Sequence, residues 1–119
     1  MNTRCSPMDL AIDLIERSSC NVRVAAVITD RTGRIFSWGW NHAGVNGFGE
    51  CAEALAVRRV NRTRLKGSTI YVAGMRVRNG KFVPSKPCQK CQKLLEAVGI
   101  KRVFYLIPTR DWTVPIEYS

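Results

Sequence analysis

The sequence predicts an α/β fold: a central mixed sheet of four to five strands with helices on both faces, in three layers. Three observations carry this. Apolar stripes at helical spacing alternate with short runs rich in β-branched and aromatic residues, in the order α-β-β-α-β-α-β. The first of those runs is apolar at every position from Val24 to Ile28, as a strand covered on both faces should be. The later strands are separated by helices, and strands joined that way run parallel with right-handed crossovers.

Each element has its own signal. "SPMDLAIDLIERS" offers Ser6 as an N-cap and Pro7 at the first helical position, and Leu10, Leu14 and Ile15 make an apolar stripe. A helix over roughly residues 7–19 follows from this. "VRVAAVITD" is the first strand, "DRTG" a tight turn with Gly33 suited to positive φ, and "RIFSWGWN" the returning strand. Strand alternation puts Phe36, Trp38 and Trp40 on one face and Ile35, Ser37 and Gly39 on the other. That aromatic row reads as core or subunit contact. After the glycine-bearing loop "HAGVNGFG" comes a helix at 51–65, then the strand "STIYVAG", a basic loop "RVRNGKFVPSK", a helix at 88–98 and the strand "RVFYLIP". The tail "TRDWTVPIEYS" has room for one more short strand. Its short link from residue 107 makes that strand antiparallel.

The totals exclude several classes. A chain of 119 residues holds one domain, here residues 1–119, and is too short for two. With 45% hydrophobic and 24% charged residues it is a globular composition, not a disordered one. No apolar run reaches the length of a membrane span, and Asp13 and Glu16 in the first amphipathic segment argue against a signal peptide. The expectation is a cytoplasmic protein without membrane attachment. Five cysteines, one pair of them spaced C-x-x-C, then favour metal or redox chemistry over a disulfide framework. The net charge of +10 suits phosphate-bearing or polyanionic ligands, or simply a solvated basic surface.

The chemistry concentrates at two helix starts, "GECAEALAVRR" and "SKPCQKCQKLLEAVG". Cys51, Cys88 and Cys91 are candidate ligands for Zn²⁺, which prefers tetrahedral thiolate and imidazole donors. Three thiolates leave a dication with a net negative charge. Two helix N-termini aimed at it supply opposing partial positive charge and lower the thiol pKa values. Three protein ligands leave a fourth position open, and zinc can then activate water. Glu53, two residues past Cys51, is placed to take that water's proton without binding the metal; in zinc nucleobase deaminases, whose pattern this matches, a glutamate so placed returns it to a ring nitrogen and a leaving amine.

"CAE" at 51–53 and "PCQKC" at 87–91, in that order and with a strand between them, resemble the two signature motifs of the zinc-dependent cytidine deaminase superfamily. "GWN" at 39–41 and "VGIKRVFY" at 98–105 are similar to the family's second strand end and its entry to strand four. The resemblance spans about residues 8 to 107. It implies a cytidine-deaminase-like fold and hydrolytic loss of ammonia from a cytosine or adenine ring. Carried over by position, it implies zinc on Cys51, Cys88 and Cys91, proton shuttling by Glu53, sugar contact by Asn41 and a backbone contact to the base from Ala52. The first-position cysteine is similar to the small homotetrameric nucleoside deaminases, which implies a homo-oligomer, dimer or tetramer. Two positions depart from that branch: Ala54 where an arginine commonly follows the glutamate, and Ala43 where a second glutamate stands. Lys86 or Arg58 then becomes the candidate for balancing the thiolates.

The substrate expected is a small cytosine nucleoside or nucleotide. Deamination within a single-stranded nucleic acid is the alternative that the basic charge supports. A non-enzymatic closed zinc site, with Cys20 or His42 as fourth ligand, is the third reading, and a redox Cys88–Cys91 pair the fourth. In the basic loop, Arg76, Arg78, Lys81 and Lys86 lead into the second cysteine motif and are candidates to meet phosphate at a pocket mouth; Lys86 is the one taken as substrate-binding. Cys5 and Cys20 take no further role.

Overall fold

The chain is built around β1 (Val22–Thr29), which alternates its side chains between two apolar clusters. Ala25 and Val27 face one side, where α1 (Pro7–Leu14) buries Ala11 and Leu14. Ala26 and Ile28 face the other, with Ala52 and Ala56 of α2 (Ala52–Arg58) and Leu95 of α3 (Gln89–Ala97). This is the expected three-layer arrangement. The computed structural model describes residues 6–42, 51–109, 111–113 and 115–118. Cys5, Ala43 and most of the loop after β2 lie outside them. Among the described residues, no helix is long and apolar enough to cross a membrane.

The sheet runs β2-β1-β3-β5-β6, with β2 (Ile35–Trp40), β3 (Thr69–Arg76), β5 (Arg102–Tyr105) and β6 (Ile116–Glu117). β1 is antiparallel to both β2 and β3, pairing Ala25 with Trp40 and with Ala73. β3 and β5 are parallel, as a helical crossover requires. The tail does turn back antiparallel, with Val103 opposite Ile116.

Four local expectations are corrected. The first helix stops at Leu14 and continues only as a 3₁₀ turn to Arg17. The Ser18 hydroxyl accepts from the Cys20 amide at 3.1 Å, and that local bond competes with further helix. The second helix ends at Arg58 because Asn61 caps a new 3₁₀ turn, accepting from the Thr63 amide at 3.0 Å. The basic loop is partly a hairpin: β4 (Lys81–Phe82) pairs with the end of β3 across a turn containing Gly80 at φ 67°. Finally, the β1–β2 register shifts between Ile28 and Thr29, which face Ser37 and Ile35. Phe36 is the extra residue, and the bulge turns it onto the α2–α3 side. Trp40 packs on the α1 side, so the aromatic row is broken at Phe36.

Candidate metal centre and active-site cleft

Two short residues let α2 approach β2. A Cβ on Gly39 would lie 2.8 Å from both the Ala52 carbonyl oxygen and the Ala56 amide nitrogen, so the strand backbone touches the helix backbone directly. Ser37 Oγ donates to the Ala56 carbonyl at 2.7 Å beside it. On β3, across β1 from β2, Gly74 likewise makes room: a Cβ there would meet Ser85 Oγ at 2.9 Å. The Val83 amide bonds Gly74 O at 3.0 Å, and the Ser85 amide bonds Leu106 O at 3.1 Å. These contacts hold the starts of α2 and α3 together beyond the C-terminal ends of β2 and β3.

Cys51 is the N-cap of α2, Cys88 the N-cap of α3, and Cys91 lies one turn into α3. Their three sulfurs lie within 4.8 Å of one another. Zn–S bonds of about 2.3 Å at tetrahedral angles separate sulfurs by about 3.8 Å, so the cluster fits zinc after sub-ångström adjustment. Among the described residues no fourth His, Cys, Asp or Glu joins the cluster; His42 and Cys20 are not part of it. That removes both candidates for a closed structural site.

The electrostatics differ from thiol to thiol. The Cys91 backbone N–H beside its sulfur holds Cys88 below the ordinary thiol value, against a smaller effect of burial. Burial pushes Cys51 up, with a hydrogen bond to the Cys91 side chain the main opposing effect and the Lys90 charge a smaller one. Burial, and then the charge of Glu53, push buried Cys91 far up. A metal ion is what would bring these three to the thiolate together. Lys90, between the two cysteines of "CQKC", is the cation that acts on Cys51. Of the two cations expected to balance the thiolates, Lys86 lines the cleft with Cys51 and Cys88, and Arg58 sits in the last turn of α2.

Glu53 is 5% exposed, and burial raises its carboxyl above the ordinary range. With Asn41, Cys51, Ala52, Lys86 and Cys88 it lines a cleft of about 180 Å³. Of the residues singled out from the sequence, these six line the cleft and buried Cys91 joins Cys51 and Cys88 in the sulfur cluster; Cys20, His42, Arg58, Arg76, Arg78 and Lys81 do not line it. Ala52, at the first position of α2, has an N–H without an intrahelical acceptor. Asn41 is more constrained than expected. Its Oδ1 accepts from the Val24 amide at 2.8 Å and from Ser18 Oγ at 2.7 Å, and its Nδ2 donates to Val22 O at 2.8 Å. Among the described residues one Nδ2 hydrogen is left over, so toward a ligand Asn41 is a donor. Ser18, 3% exposed, was not singled out from the sequence; its partner lies 23 residues away, and no local pattern marks it.

Comparisons with known proteins agree with this geometry. The fold is similar to the dCMP deaminase of the cyanophage S-TIM5, at 23% identity and TM-score 0.65, covering 85% of this chain and 79% of that one. It is also similar to the cytidine deaminase of Burkholderia pseudomallei, at 16% identity and TM-score 0.68, covering 98% and 93%. The cytidine deaminase of Mycobacterium leprae matches at 21% identity and TM-score 0.63, covering 89% and 87%. At these identities the likeness is one of fold. No curated protein sequence matches the chain. The model of the cytidine and deoxycytidylate deaminase zinc-binding region matches residues 1–107, and the chain belongs to that family.

Proposed function

We propose that the chain is a zinc-dependent hydrolytic deaminase that converts a cytosine-type nucleoside or nucleotide to its uracil form. The observation that carries this is a three-sulfur cluster with no fourth protein ligand among the described residues, opening on a cleft that contains a buried carboxyl. Cys51, Cys88 and Cys91 would hold the metal, which supplies the Lewis acidity that makes water a nucleophile at neutral pH. Glu53 takes the water's proton on a carboxylate oxygen. It passes that proton to ring N3 as the water oxygen bonds to C4, then takes the remaining hydroxyl proton and passes it to the amino nitrogen as the C4–N bond breaks, leaving a C4 carbonyl and ammonia. The raised Glu53 pKa suits a group that must both accept and return a proton. Ala52 N–H meets the base carbonyl, and the free Nδ2 hydrogen of Asn41 meets a sugar oxygen.

The cleft is smaller than the roughly 300 Å³ at which small-molecule sites usually begin, so the described residues enclose the base and leave the rest of the ligand outside. Lys86 at its edge can meet one phosphate, which fits a monophosphate. A homo-oligomer belongs to this reading, supported by Trp38 standing 41% exposed on the sheet-edge strand β2; sedimentation against the 13.4 kDa chain mass tests it. The test of the activity is ammonia release across cytidine, deoxycytidine, their monophosphates and the adenine counterparts. Glu53→Gln should keep zinc and fold while turnover drops roughly 10²–10⁴-fold, the usual contribution of a positioned acid–base. Zinc-loaded protein inactive on every monomer would end this reading.

A second reading, deamination within a single strand, has the charge of +10 and the exposed Arg76, Arg78 and Lys81 of the β3–β4 hairpin in its favour. It predicts a log–log salt slope of about −0.7 for each strand phosphate contacted, which one monophosphate cannot give.

A further inference from the structure

Among the described residues there is a cavity larger than the cleft beside the cysteines. It measures about 700 Å³ and lies at the opposite end of the sheet, where β1 ends and β3 and β5 begin. That volume falls within the roughly 300–1,000 Å³ of small-ligand sites. Arg31, Lys66, Lys101 and Arg102 line it, against two carboxylates, Asp30 and Glu96. One of those carboxylates is engaged by its own turn: Asp30 Oδ1 accepts from the Thr32 amide, the Thr32 hydroxyl and the Arg34 amide. Arg102 leans on Glu117 at 3.4 Å. Arg31, Lys66 and Lys101 have no ion-pair partner among the described residues.

These cations stand on a braced frame. Gly67, at φ 79°, has no Cβ, and the space where one would be is taken by Arg31, whose Cδ is 2.8 Å from that point. Gly99, at φ 92°, lets its backbone pass the Lys66 Cα at the equivalent of 3.0 Å. The Gly67 amide bonds Gly99 O, the Lys101 amide bonds Ser68 O, and the Tyr118 amide bonds Lys101 O, each at 2.8 Å. Tyr118 also lines the cavity, and its hydroxyl is buried without a partner among the described residues.

We propose that this cavity is a binding site for a small diphosphate-bearing anion. The lining carries four cations against two carboxylates, and three of those cations have no ion-pair partner among the described residues; that positive excess suits the negative charge of a diphosphate. Asp30 and Glu96 interrupt the positive surface within the cavity, so it forms an enclosed patch and not the continuous track that a nucleic-acid strand follows.

Titration of the full-length, zinc-loaded protein with inorganic pyrophosphate, followed by backbone amide NMR, tests this. Shifts should concentrate at Gly67, Gly99, Lys101 and Arg102. The double variant Arg31→Gln/Lys101→Gln should weaken binding at least tenfold. Arg62→Gln/Lys93→Gln, which removes the same charge outside the cavity, should weaken it less than twofold. ADP binding more tightly than pyrophosphate at the same amides assigns the natural ligand to a nucleoside diphosphate; equal binding assigns it to the inorganic anion. Shifts confined to residues 85–91, an equal loss in both double variants, or no saturable binding would overturn the proposal. So would tighter binding of a short single strand with a salt slope of several phosphates.

Discussion

Gly39→Ala tests how the fold holds the site together. The added methyl would sit 2.8 Å from Ala52 O and Ala56 N and 3.0 Å from Leu55 Cβ. Two of these are backbone atoms of α2, which no rotamer change can move. Either the helix backs away from β2 or the strand does. Overpacking of this kind costs about 1–3 kcal/mol. For a chain of this length each kcal/mol is worth about 3–6 °C, which gives a fall in Tm of roughly 3–18 °C. Destabilisation alone would not distinguish this account from a generic core defect. Gly33→Ala is the control. Its φ of 89° is strained for alanine, at roughly 1–2 kcal/mol, but nothing lies within 4 Å of the new methyl. Both variants should melt early. Only Gly39→Ala moves the start of α2, which carries Cys51 and Glu53, so only it should release zinc faster to a chelator in the folded protein. A Gly39→Ala protein with unchanged Tm and zinc off-rate would refute the close-contact argument. Equal zinc loss in the two variants would refute the link between that contact and the metal centre.

Other expectations follow from single contacts. Cys88→Ala and Cys91→Ala should lose zinc on dialysis, whereas His42→Ala should retain one zinc per chain by atomic absorption; the reverse pattern would dismiss the three-sulfur centre. Ser18→Ala removes the 2.7 Å bond that orients Asn41, worth about 0.5–1.5 kcal/mol, so KM for a ribose substrate should rise roughly 2–12-fold. kcat should hold, Ser18→Thr should restore KM, and a kcat-only effect would argue against Asn41 as a sugar contact. Asp30 is held below its ordinary value of 3.8 by the Thr32 hydroxyl and then the Arg34 amide. That stabilisation is present above pH about 3.8 and is lost as pH falls through the lower folded value. Amide exchange at Thr32 and Arg34 should therefore accelerate in that acid window, and Asp30→Asn should abolish the pH dependence of the turn.

What was legible in the sequence is what the chain writes locally. Ser6 and Pro7 announced the first helix, and the unbroken apolar run of β1 announced a strand covered on both faces. Cys51 and the Cys88–Cys91 pair were visible as helix-start cysteines because a cap and its first turn span only four residues. The Asn79-Gly80 pair was a hairpin signal also present in the text, and the basic character of its neighbours hid it. Contacts between distant segments were not legible. Nothing beside Phe36 marks the bulge that turns it, because the shift is set by pairing with Thr29. Gly39 reads as an ordinary strand glycine until α2 is seen lying on it. The same distinction explains the thiolate cation. Arg58, near Cys51 in sequence, stands in the last turn of its helix, whereas Lys90, remote in sequence, is a cation that folding lets act on Cys51, though less than burial does. The chemistry of this site is local in sequence, whereas its geometry is set by where strands β2 and β3 let two helices begin. Substitutions at Gly39 and Gly74, which carry no chemistry, are therefore expected to disturb the metal centre more than loss of the exposed hairpin cations Arg76, Arg78 and Lys81.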